Sequence, residues 1–535
     1  HWQTRIDGNG NLNIISDGRG DNRPNRVEID ITDIRRNDDC EIRFQARWKA
    51  GSSRLIFSTW DHSIANSFLI PIPENLGTPG ARNSRARSSA PAQLARLNHS
   101  PAVPTTRDDV TISADVVSTE PLDYVRVYHR RDNSNNNGSW SFEEMHDDGA
   151  TGGDLADADG RFTGLVTTHK QNRAIVQFYV EARTQSGNII RLPRNAPELP
   201  GLYIVDTRSP NTDLRTMRFV VSAFDMGAIS GGESRKYNYK FPRLANHYFN
   251  STFISNEEDI YYNTSIRHTG SPWTRGNNLD RAKFKVTQDR PFRGRVKHRW
   301  DNDASNSGRR HHNRITRYML YLLGHPVNEN EFVQVMINAG SPQLREDTEP
   351  VGNEFLDRNF ESGADGELYR IDDEWWFRDS WDRKNRDASW NYKNTDNPGN
   401  YRTEWMKRTL ETEDDFTALI NLFQTASGSY TQAQIERLAD PDAIMKMFVV
   451  RGYIDDWDSI SLRRGKNGYM YRRAADGKFQ FIHWDSDLTF GNSGANFYQG
   501  LPGVNTYIRK DYNLRKFNYY MTELLEKYTK DSPRM

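Results

Sequence analysis

Alternation of apolar and polar positions, the pattern of half-buried strands, dominates the first part of the chain. It recurs in Leu12–Ile15, Arg26–Ile31, Cys40–Trp48 and Arg54–Thr59, with turn residues between these segments. Short strands separated by turns are typical of a β-sandwich or a jelly roll. We therefore predict a β-sandwich or jelly-roll-like module over residues 1–84.

Two features of this module have more than one interpretation. Trp48 and Trp60 could form an aromatic platform for a sugar, but a Trp within a strand pattern is more often a core residue. Arg19-Gly20-Asp21 spells an adhesion tripeptide, yet it lies among Gly, Asp and Asn residues. Turn chemistry is the simpler explanation of that composition.

A second group of strands follows a stretch rich in Asn, Ser, Arg, Ala and Pro, which we assign to a linker at residues 85–99. The strand patterns after it are Val110–Val117, Tyr124–His129, Gly164–Thr167 and Ile175–Thr184. About one hundred residues of short strands are typical of an immunoglobulin- or fibronectin-like β-sandwich. We place this module at residues 100–207.

An acidic loop lies inside the second module. Several aspartates stand at short spacing from Asp147 to Asp159, with glycines among them. Hard cations such as Ca²⁺ prefer carboxylate oxygens, but the spacing does not match an EF-hand. A calcium site and a solvated acidic turn therefore both stay open.

Helical and strand patterns alternate in the third segment, residues 212–535. Amphipathic periodicity predicts helices over Arg310–Leu323, which Gly324 is placed to end, and over Glu413–Ala426. Asp440-Pro441 begins a third helix, because an N-cap residue followed by Pro at the first helical position is a favoured start. The pattern predicts an α+β domain.

A hairpin in this domain carries the most suggestive chemistry. Its strands, Gly468–Arg473 and Lys478–Trp484, turn at Asp476-Gly477, and the second strand exits into Asp485-Ser486-Asp487. The preceding helix ends in a loop that holds Asp455, Asp456 and Asp458. Phosphoryl transfer needs a carboxylate that orients the attacking hydroxyl, oxygens that hold Mg²⁺, and a fixed cation against the phosphates. The loop and the hairpin could supply the first two.

Composition narrows the classes of function. A mean hydropathy of −0.87 hints at disorder, but 12% aromatic residues can build sizeable cores. The 72 basic and 72 acidic residues balance, so no global field recruits nucleic acid. No apolar run reaches the roughly 20 residues that a membrane-spanning helix needs. Cys40 is the only cysteine, which excludes an internal disulfide and cysteine zinc sites.

Ordered motifs across the third segment resemble the CotH kinase family, a group of atypical kinases. The central motifs are Asp458, Asn467-Gly468-Tyr469-Met470-Tyr471, Phe481-Ile482-His483-Trp484-Asp485-Ser486-Asp487 and Phe490-Gly491. Upstream, Ile266-Arg267-His268-Thr269-Gly270-Ser271 and Lys283-Phe284-Lys285-Val286 look like the family's arginine-glycine-serine strand and its lysine-bearing strand. Glu349, Phe355-Leu356 and Gly366-Glu367-Leu368-Tyr369 resemble a further conserved segment of that family.

The resemblance implies a role for each matching residue. Asp458 would be the catalytic base. Asp485 and Asp487 would hold Mg²⁺ or Mn²⁺, with Asn467 as a further ligand or as a loop organiser. Lys283 or Lys285 would contact the phosphates of ATP, paired with Glu349, and Arg267 would add positive charge.

Two expectations about orientation accompany these roles. We expect alternation along the strand to point Lys283 and Lys285 to opposite faces, so that one of them meets the nucleotide. His311 and His312 lie on the first predicted helix, and we expect them to face solvent or protein rather than metal.

The resemblance implies a secreted or cell-surface bacterial protein that transfers the γ-phosphate of ATP to Ser or Thr of a protein. Two β modules before such a domain look like the arrangement of large bacterial exported proteins. The rival interpretation is a catalytically inactive structural or adhesive surface protein built on the same scaffold. The expected partner is a protein substrate or a surface or matrix component, without nucleic acid or a membrane span, and the oligomeric state stays open.

Overall fold

The structure is a computed structural model that describes most of the chain from Ser89 onward and short pieces before it. The described residues are 5–6, 12–13, 41, 43–49, 53–58, 65–72, 80, 89–133, 138–230, 233–234, 239–240, 247–270, 278–371, 388–402, 404–410, 413–460, 464–491, 497–498, 500 and 502–531.

Two short antiparallel pairs are described in the first 84 residues. Strand β1 (Arg5–Ile6) pairs with β2 (Leu12–Asn13), and β3 (Arg54–Ser58) pairs with β4 (Ala65–Leu69). Residues 43–48, predicted to be a strand, are not in one and are mostly exposed.

Other predictions for this module fall on residues that the structure does not describe. These are the strand Arg26–Ile31, the tripeptide Arg19-Gly20-Asp21, Cys40 and Trp60. The jelly-roll-like module therefore stays a prediction.

The second β part consists of two antiparallel sheets that share one core. The sheet orders are β5-β6-β9 and β11-β10-β7-β8, and β12 also pairs with β10. Apolar side chains of both sheets, such as Ile112, Val127 and Phe178, are fully buried in that core. The strands are β5 (Gln93–Ser100), β6 (Val110–Val117), β7 (Leu122–Arg131), β8 (Ser141–Glu144), β9 (Arg161–Val166), β10 (Ile175–Thr184), β11 (Ile189–Leu192) and β12 (Gly201–Ile204).

The start of this part differs from the prediction. Residues 93–99 form most of β5 instead of a linker, because Leu94 and Leu97 pack against the shared core. The immunoglobulin- or fibronectin-like class of the two sheets stays a prediction.

A closed seven-stranded barrel follows, in the order β13-β16-β17-β18-β19-β21-β20, and the parallel pair β13-β20 closes it. Phe219, Phe253, Phe284 and Trp300 fill its interior. Side chains at alternate positions point outward instead. The elements are β13 (Thr216–Val220), α1 (Ala223–Ile229), β14 (Glu233–Ser234), β15 (Tyr239–Lys240), β16 (Phe249–Ser255), β17 (Asp259–His268), β18 (Ala282–Lys285), β19 (Lys297–Asp301), α2 (His312–Leu322), β20 (Asn330–Ile337) and β21 (Gln343–Thr348).

The last part is an antiparallel four-stranded sheet, β23-β22-β24-β25, that packs with α2 and the C-terminal helices around a large apolar core. In the part of the chain that the structure describes, we find no helix of the length and apolarity needed to span a bilayer. The elements are α3 (Asn353–Asn359), β22 (Glu367–Ile371), β23 (Trp405–Lys407), α4 (Thr417–Ser427), α5 (Gln432–Leu438), α6 (Pro441–Tyr453), β24 (Gly468–Arg472), β25 (Phe479–His483), α7 (Pro502–Ile508) and α8 (Asp511–Asp531).

Local signals in the sequence set several of these boundaries. The Asp440 side chain accepts hydrogen bonds from the backbone N–H groups of Asp442 and Ala443, so it caps α6 as predicted. Gly324, with φ of 67°, follows the end of α2 in the left-handed region. Gly477, with φ of 70°, turns the hairpin between β24 and β25.

The second β part and the barrel form a packed interface. Leu202, Ile204, Val220 and Ile254 belong to one buried apolar cluster that crosses between them. His99 on β5 also reaches the barrel, because its Nδ1 lies 2.5 Å from the hydroxyl oxygen of Tyr262 on β17. The barrel therefore packs against the two sheets of the second β part.

Candidate functional site

Three carboxylates meet between the barrel and the four-stranded sheet. Asp303 lies in a short 3₁₀ helix just after β19, and Asp485 and Asp487 follow β25. One ligand oxygen from each carboxylate lies within 4.8 Å of the others. Among the described residues, no other group of three His, Cys, Asp or Glu side chains comes this close together. Mg²⁺ and Mn²⁺ prefer such oxygen donors, so the set fits a hard divalent cation.

Asp303 is missing from the residues predicted from the sequence. A signal for it exists, because Asp301-Asn302-Asp303 repeats at the end of β19 the spacing of Asp485-Ser486-Asp487 after β25. Arg281 holds this carboxylate, with 3.0 Å between Nη2 and Oδ1 of Asp303. The Arg281 guanidinium therefore balances part of the negative charge.

Burial and mutual repulsion favour protons on two of these carboxyl groups. Burial, followed by the carboxylates of Asp485 and Asp303, raises the pKa of Asp487 to about 9. Burial, followed by the Asp301 carboxylate, raises the pKa of Asp303 to about 7. A nearby cation favours the charged forms, and Arg309 supplies part of this effect with its Nη1 3.6 Å from Oδ2 of Asp487.

Asp458, the predicted catalytic base, lies in the loop after α6 and is 7% exposed. Its Oδ1 is 3.1 Å from Nζ of Lys466, and its Oδ2 accepts a hydrogen bond of 3.1 Å from Nδ2 of Asn467. Burial raises the pKa of Asp458 against the opposing effect of Lys466, toward the range useful for a general base. Asn467 thus makes the contact expected of a loop organiser.

A row of basic side chains crosses the outer face of the barrel. Arg267 on β17 lies directly opposite Lys283 on β18, which lies opposite Arg299 on β19. Like charges directly opposite on neighbouring strands repel, since their Cβ atoms are about 4.5–5.5 Å apart. Burial, and then the guanidinium groups of Arg267, Arg408 and Arg370, lower the pKa of Lys283 well below its ordinary value. A bound anion would relieve this repulsion.

Arg299 is the member of this basic row that lies next to the segments of the three carboxylates. Its Nη1 is 3.1 Å from Oδ2 of Asp301, and its guanidinium lies 4.8 Å from the centroid of the Trp484 ring. Trp484 immediately precedes Asp485. The basic row and the three carboxylates are therefore adjacent.

The expectation that Lys283 and Lys285 point to opposite faces is wrong. Residues two apart on a strand share a face, and here the buried residues of β18 are Ala282 and Phe284. The two lysines differ in their neighbours instead. Lys283 lies among guanidinium groups, whereas Nζ of Lys285 lies 4.4 Å from the centroid of the Tyr248 ring.

The predicted pair between Glu349 and one of these lysines is also wrong for the residues that the structure describes. Glu349 forms a salt bridge with Arg358 on α3, and its Oε2 accepts a hydrogen bond of 3.0 Å from the backbone N–H of Glu329. The reason is position, because Glu349 lies at the end of β21, where α3 approaches. It therefore connects structural elements and does not balance a lysine.

Three segments after α6 carry predicted site residues. Arg451, near the end of α6, contacts all three. Its side chain is 0% exposed and binds Oδ2 of Asp456 at 2.6 Å. Its Nη2 donates to the carbonyl oxygens of Asn467 at 2.6 Å and Trp484 at 2.9 Å. One guanidinium thus joins the loop of Asp458, the start of β24 and the exit of β25.

The remaining predictions concern the acidic loop and the histidines. In the loop, the Asp147 carboxylate accepts from the N–H groups of Asp159 and Gly160, and Asp148 accepts from Thr151. These are the contacts of an acidic turn, and no group of three metal-ligating side chains is found in this fully described loop.

His312 faces protein as expected, with Nδ1 2.9 Å from the carbonyl oxygen of Asp487.

Comparison with known proteins gives one result for the C-terminal part. No curated protein matches the chain. Residues 277–527 match the model of the family described as CotH kinase protein. The match contains Lys283, Asp303, Asp458 and the Asp485–Asp487 loop, whereas Arg267 and the first three barrel strands precede it. The C-terminal part of this chain is thus similar to the CotH kinase family.

Proposed function

We propose that this protein binds ATP with Mg²⁺ or Mn²⁺ between the barrel and the four-stranded sheet and transfers the γ-phosphate to a protein hydroxyl. The observation that carries the proposal is the adjacency of a basic row and a carboxylate triplet, because Arg299 of the row binds Asp301, two residues before Asp303 of the triplet. Similarity to the CotH kinase family supports the same chemistry.

The carboxylates of Asp303, Asp485 and Asp487 would hold the metal. A divalent cation there supplies charge neutralisation to phosphate oxygens. Lys283, Arg267 and Arg299 would bind the phosphate chain, because a polyanion removes the repulsion within their row. Lys285 lies on the same face of β18 and would add further positive charge.

Asp458 would orient the acceptor hydroxyl and take its proton. The hydroxyl oxygen forms a bond to the γ-phosphorus while the bond to the bridging oxygen of ADP breaks, so the electron pair of that bond leaves with ADP. Asn467 fixes the Asp458 carboxylate through its Nδ2 donor. Lys466 must release or share Oδ1 for the hydroxyl to approach.

The acceptor that we propose is Ser or Thr of a protein, and the proposed location is outside the cell or on its surface. Both follow from the resemblance of the motifs to the CotH family.

The test is transfer of ³²P from [γ-³²P]ATP to the protein itself or to casein, with Mg²⁺ or Mn²⁺ and with EDTA. Transfer should require the metal and should be abolished in an Asp485→Asn, Asp487→Asn double variant. Labelling that persists in EDTA or in the double variant would contradict the proposal.

A second candidate function is a nucleotide-binding or purely structural surface protein without transfer. The observation that favours it is the engagement of both Asp458 oxygens by Lys466 and Asn467. Metal-dependent ATP binding without transfer to any acceptor would support the binding form of this alternative.

A further inference from the structure

Arg451 is the buried centre of the proposed site. The guanidinium is 0% exposed, so it cannot contact nucleotide or acceptor. It nevertheless bonds to three separate segments: Asp456 in the loop after α6, the carbonyl oxygen of Asn467, and the carbonyl oxygen of Trp484. Its Nη2 also lies 3.1 Å from Nδ1 of His483.

Each of these three segments contains a non-glycine residue in the left-handed region. The φ angles are 52° for Asp455, 58° for Asn467 and 55° for Asp485. Asp and Asn tolerate this region better than other residues, but such conformations are still strained. They persist when surrounding contacts determine them, and Arg451 supplies a contact to each segment.

We propose that Arg451 is a positioning residue that fixes Asp458, Asn467 and the Asp485–Asp487 loop relative to one another, and so determines metal affinity and turnover. The inference rests on the proposed function. The Arg451 contacts differ from an ordinary buried ion pair, because two of its acceptors are backbone carbonyls. One belongs to Asn467, and the other belongs to Trp484, which precedes Asp485.

The geometry specifies what a conservative replacement loses. An Arg451→Lys variant keeps a positive charge for Asp456, but a single ammonium has one nitrogen in place of the planar fork that reaches three segments. An Arg451→Met, Asp456→Asn variant removes both charges and leaves no unpaired buried charge, a replacement that is often tolerated in stability. Both variants should therefore fold while the segments lose their common anchor.

The experiment measures Mn²⁺ affinity by the loss of the free-ion electron paramagnetic resonance signal, and kcat and KM for ATP in parallel. Loss of contacts that orient metal ligands typically costs about 10–100-fold in affinity or activity. Both variants should lose about that factor in Mn²⁺ affinity and in kcat. At saturating Mn²⁺, the KM for ATP should change less, because the basic row is untouched.

A matched control removes another buried ion pair. Arg317 on α2 binds Glu346 on β21 at 2.5 Å, and within the described residues neither side chain forms a hydrogen bond or ion pair with the three segments. An Arg317→Met, Glu346→Gln variant should keep wild-type Mn²⁺ affinity.

Two results would overturn the inference alone. These are wild-type Mn²⁺ affinity and kcat in both Arg451 variants, or an equal loss in the Arg317 control. Absence of Mn²⁺ and ATP binding in the wild-type protein would instead overturn the proposed function, and the inference with it.

Discussion

The Asp303 carboxylate comes from the barrel side of the molecule, yet a ligand oxygen of Asp303 lies within 4.8 Å of one from Asp487, which follows the last strand of the four-stranded sheet. A metal held by both residues would therefore connect the two layers. The hydrogen bond between His312 and the Asp487 carbonyl already ties the helix after Asp303 to the same loop.

Asp303→Asn should lower Mn²⁺ affinity. The change removes one of three charged donors while keeping size and polarity, so about a 10–100-fold loss is expected, by analogy with the loss of groups that support a metal site. Titration of Mn²⁺ followed by electron paramagnetic resonance gives the affinity directly. Asp289→Asn is the control, because Asp289 is an exposed carboxylate in the turn after β18 and does not belong to the triplet. Equal affinities of wild type and Asp303→Asn would exclude Asp303 as a ligand.

Lys283→Met should have opposite effects on stability and on nucleotide binding. Without nucleotide, the variant should melt at a higher temperature, because it relieves repulsion between Lys283 and the guanidinium groups beside it. ATP affinity should fall about 10–100-fold, since a hydrogen bond to a charged group contributes about 1.5–3 kcal/mol.

Two further lysines control this experiment. Lys285→Met should weaken ATP binding less, because Lys285 lies opposite Ser265 and Lys297 and so outside the row. Lys297→Met removes an exposed barrel charge and should leave affinity unchanged. A larger effect at Lys285 than at Lys283 would reverse the assignment.

Asp458→Asn should abolish turnover while ATP affinity stays near that of the wild type. A group that orients the acceptor acts in the transition state, so its loss lowers kcat rather than ground-state binding. Comparing ³²P transfer with ATP affinity in the same preparation separates the two effects. If Asp458→Asn keeps wild-type turnover, the catalytic base is another carboxylate of the loop, such as Asp456.

The sequence predicted elements with strong local signals and missed pairings between distant segments. The Asp440 cap, the Asp476-Gly477 turn and strand Ile175–Thr184 each depend on neighbouring residues, and each is found in the structure. Asp303 joins Asp485 only through the packing of two layers, which no local pattern encodes.

The errors at the lysines have different origins. Lys283 and Lys285 are two apart and therefore share a face, so the expected opposition contradicted strand geometry itself. The Glu349 partner could not be known from the sequence, because the approach of Arg358 depends on how α3 packs.

Acid should destabilise the interface between the second β part and the barrel through His99. Burial lowers the pKa of His99 from 6.5 to about 4 against the opposing hydrogen bond to the Ala102 carbonyl. Since the unfolded chain binds this proton below pH 6.5 and the folded chain does not until about pH 4, stability is present above pH 6.5 and is lost as the pH falls between these values. The loss from His99 should be about 2 kcal/mol between pH 7 and pH 5.

Urea unfolding at both pH values measures this effect. His99→Gln should reduce the difference in unfolding free energy between the two pH values, whereas replacement of the exposed His311 by Gln should not. The same pH dependence in wild type and His99→Gln would show that His99 titrates normally in the folded protein.

The most direct measurement is the melting temperature of the wild-type protein with Mg²⁺ alone, a nonhydrolysable ATP analogue alone, and both together. A ligand that binds only the folded state adds about 2.7 kcal/mol at 100 times its Kd, so the pair should raise the melting temperature clearly. The rise should vanish in the Asp485→Asn, Asp487→Asn variant, whose melting temperature without ligand should stay at or above that of the wild type because carboxylate repulsion is relieved. No rise in the wild type, or an equal rise in the double variant, would contradict metal-dependent nucleotide binding at this site.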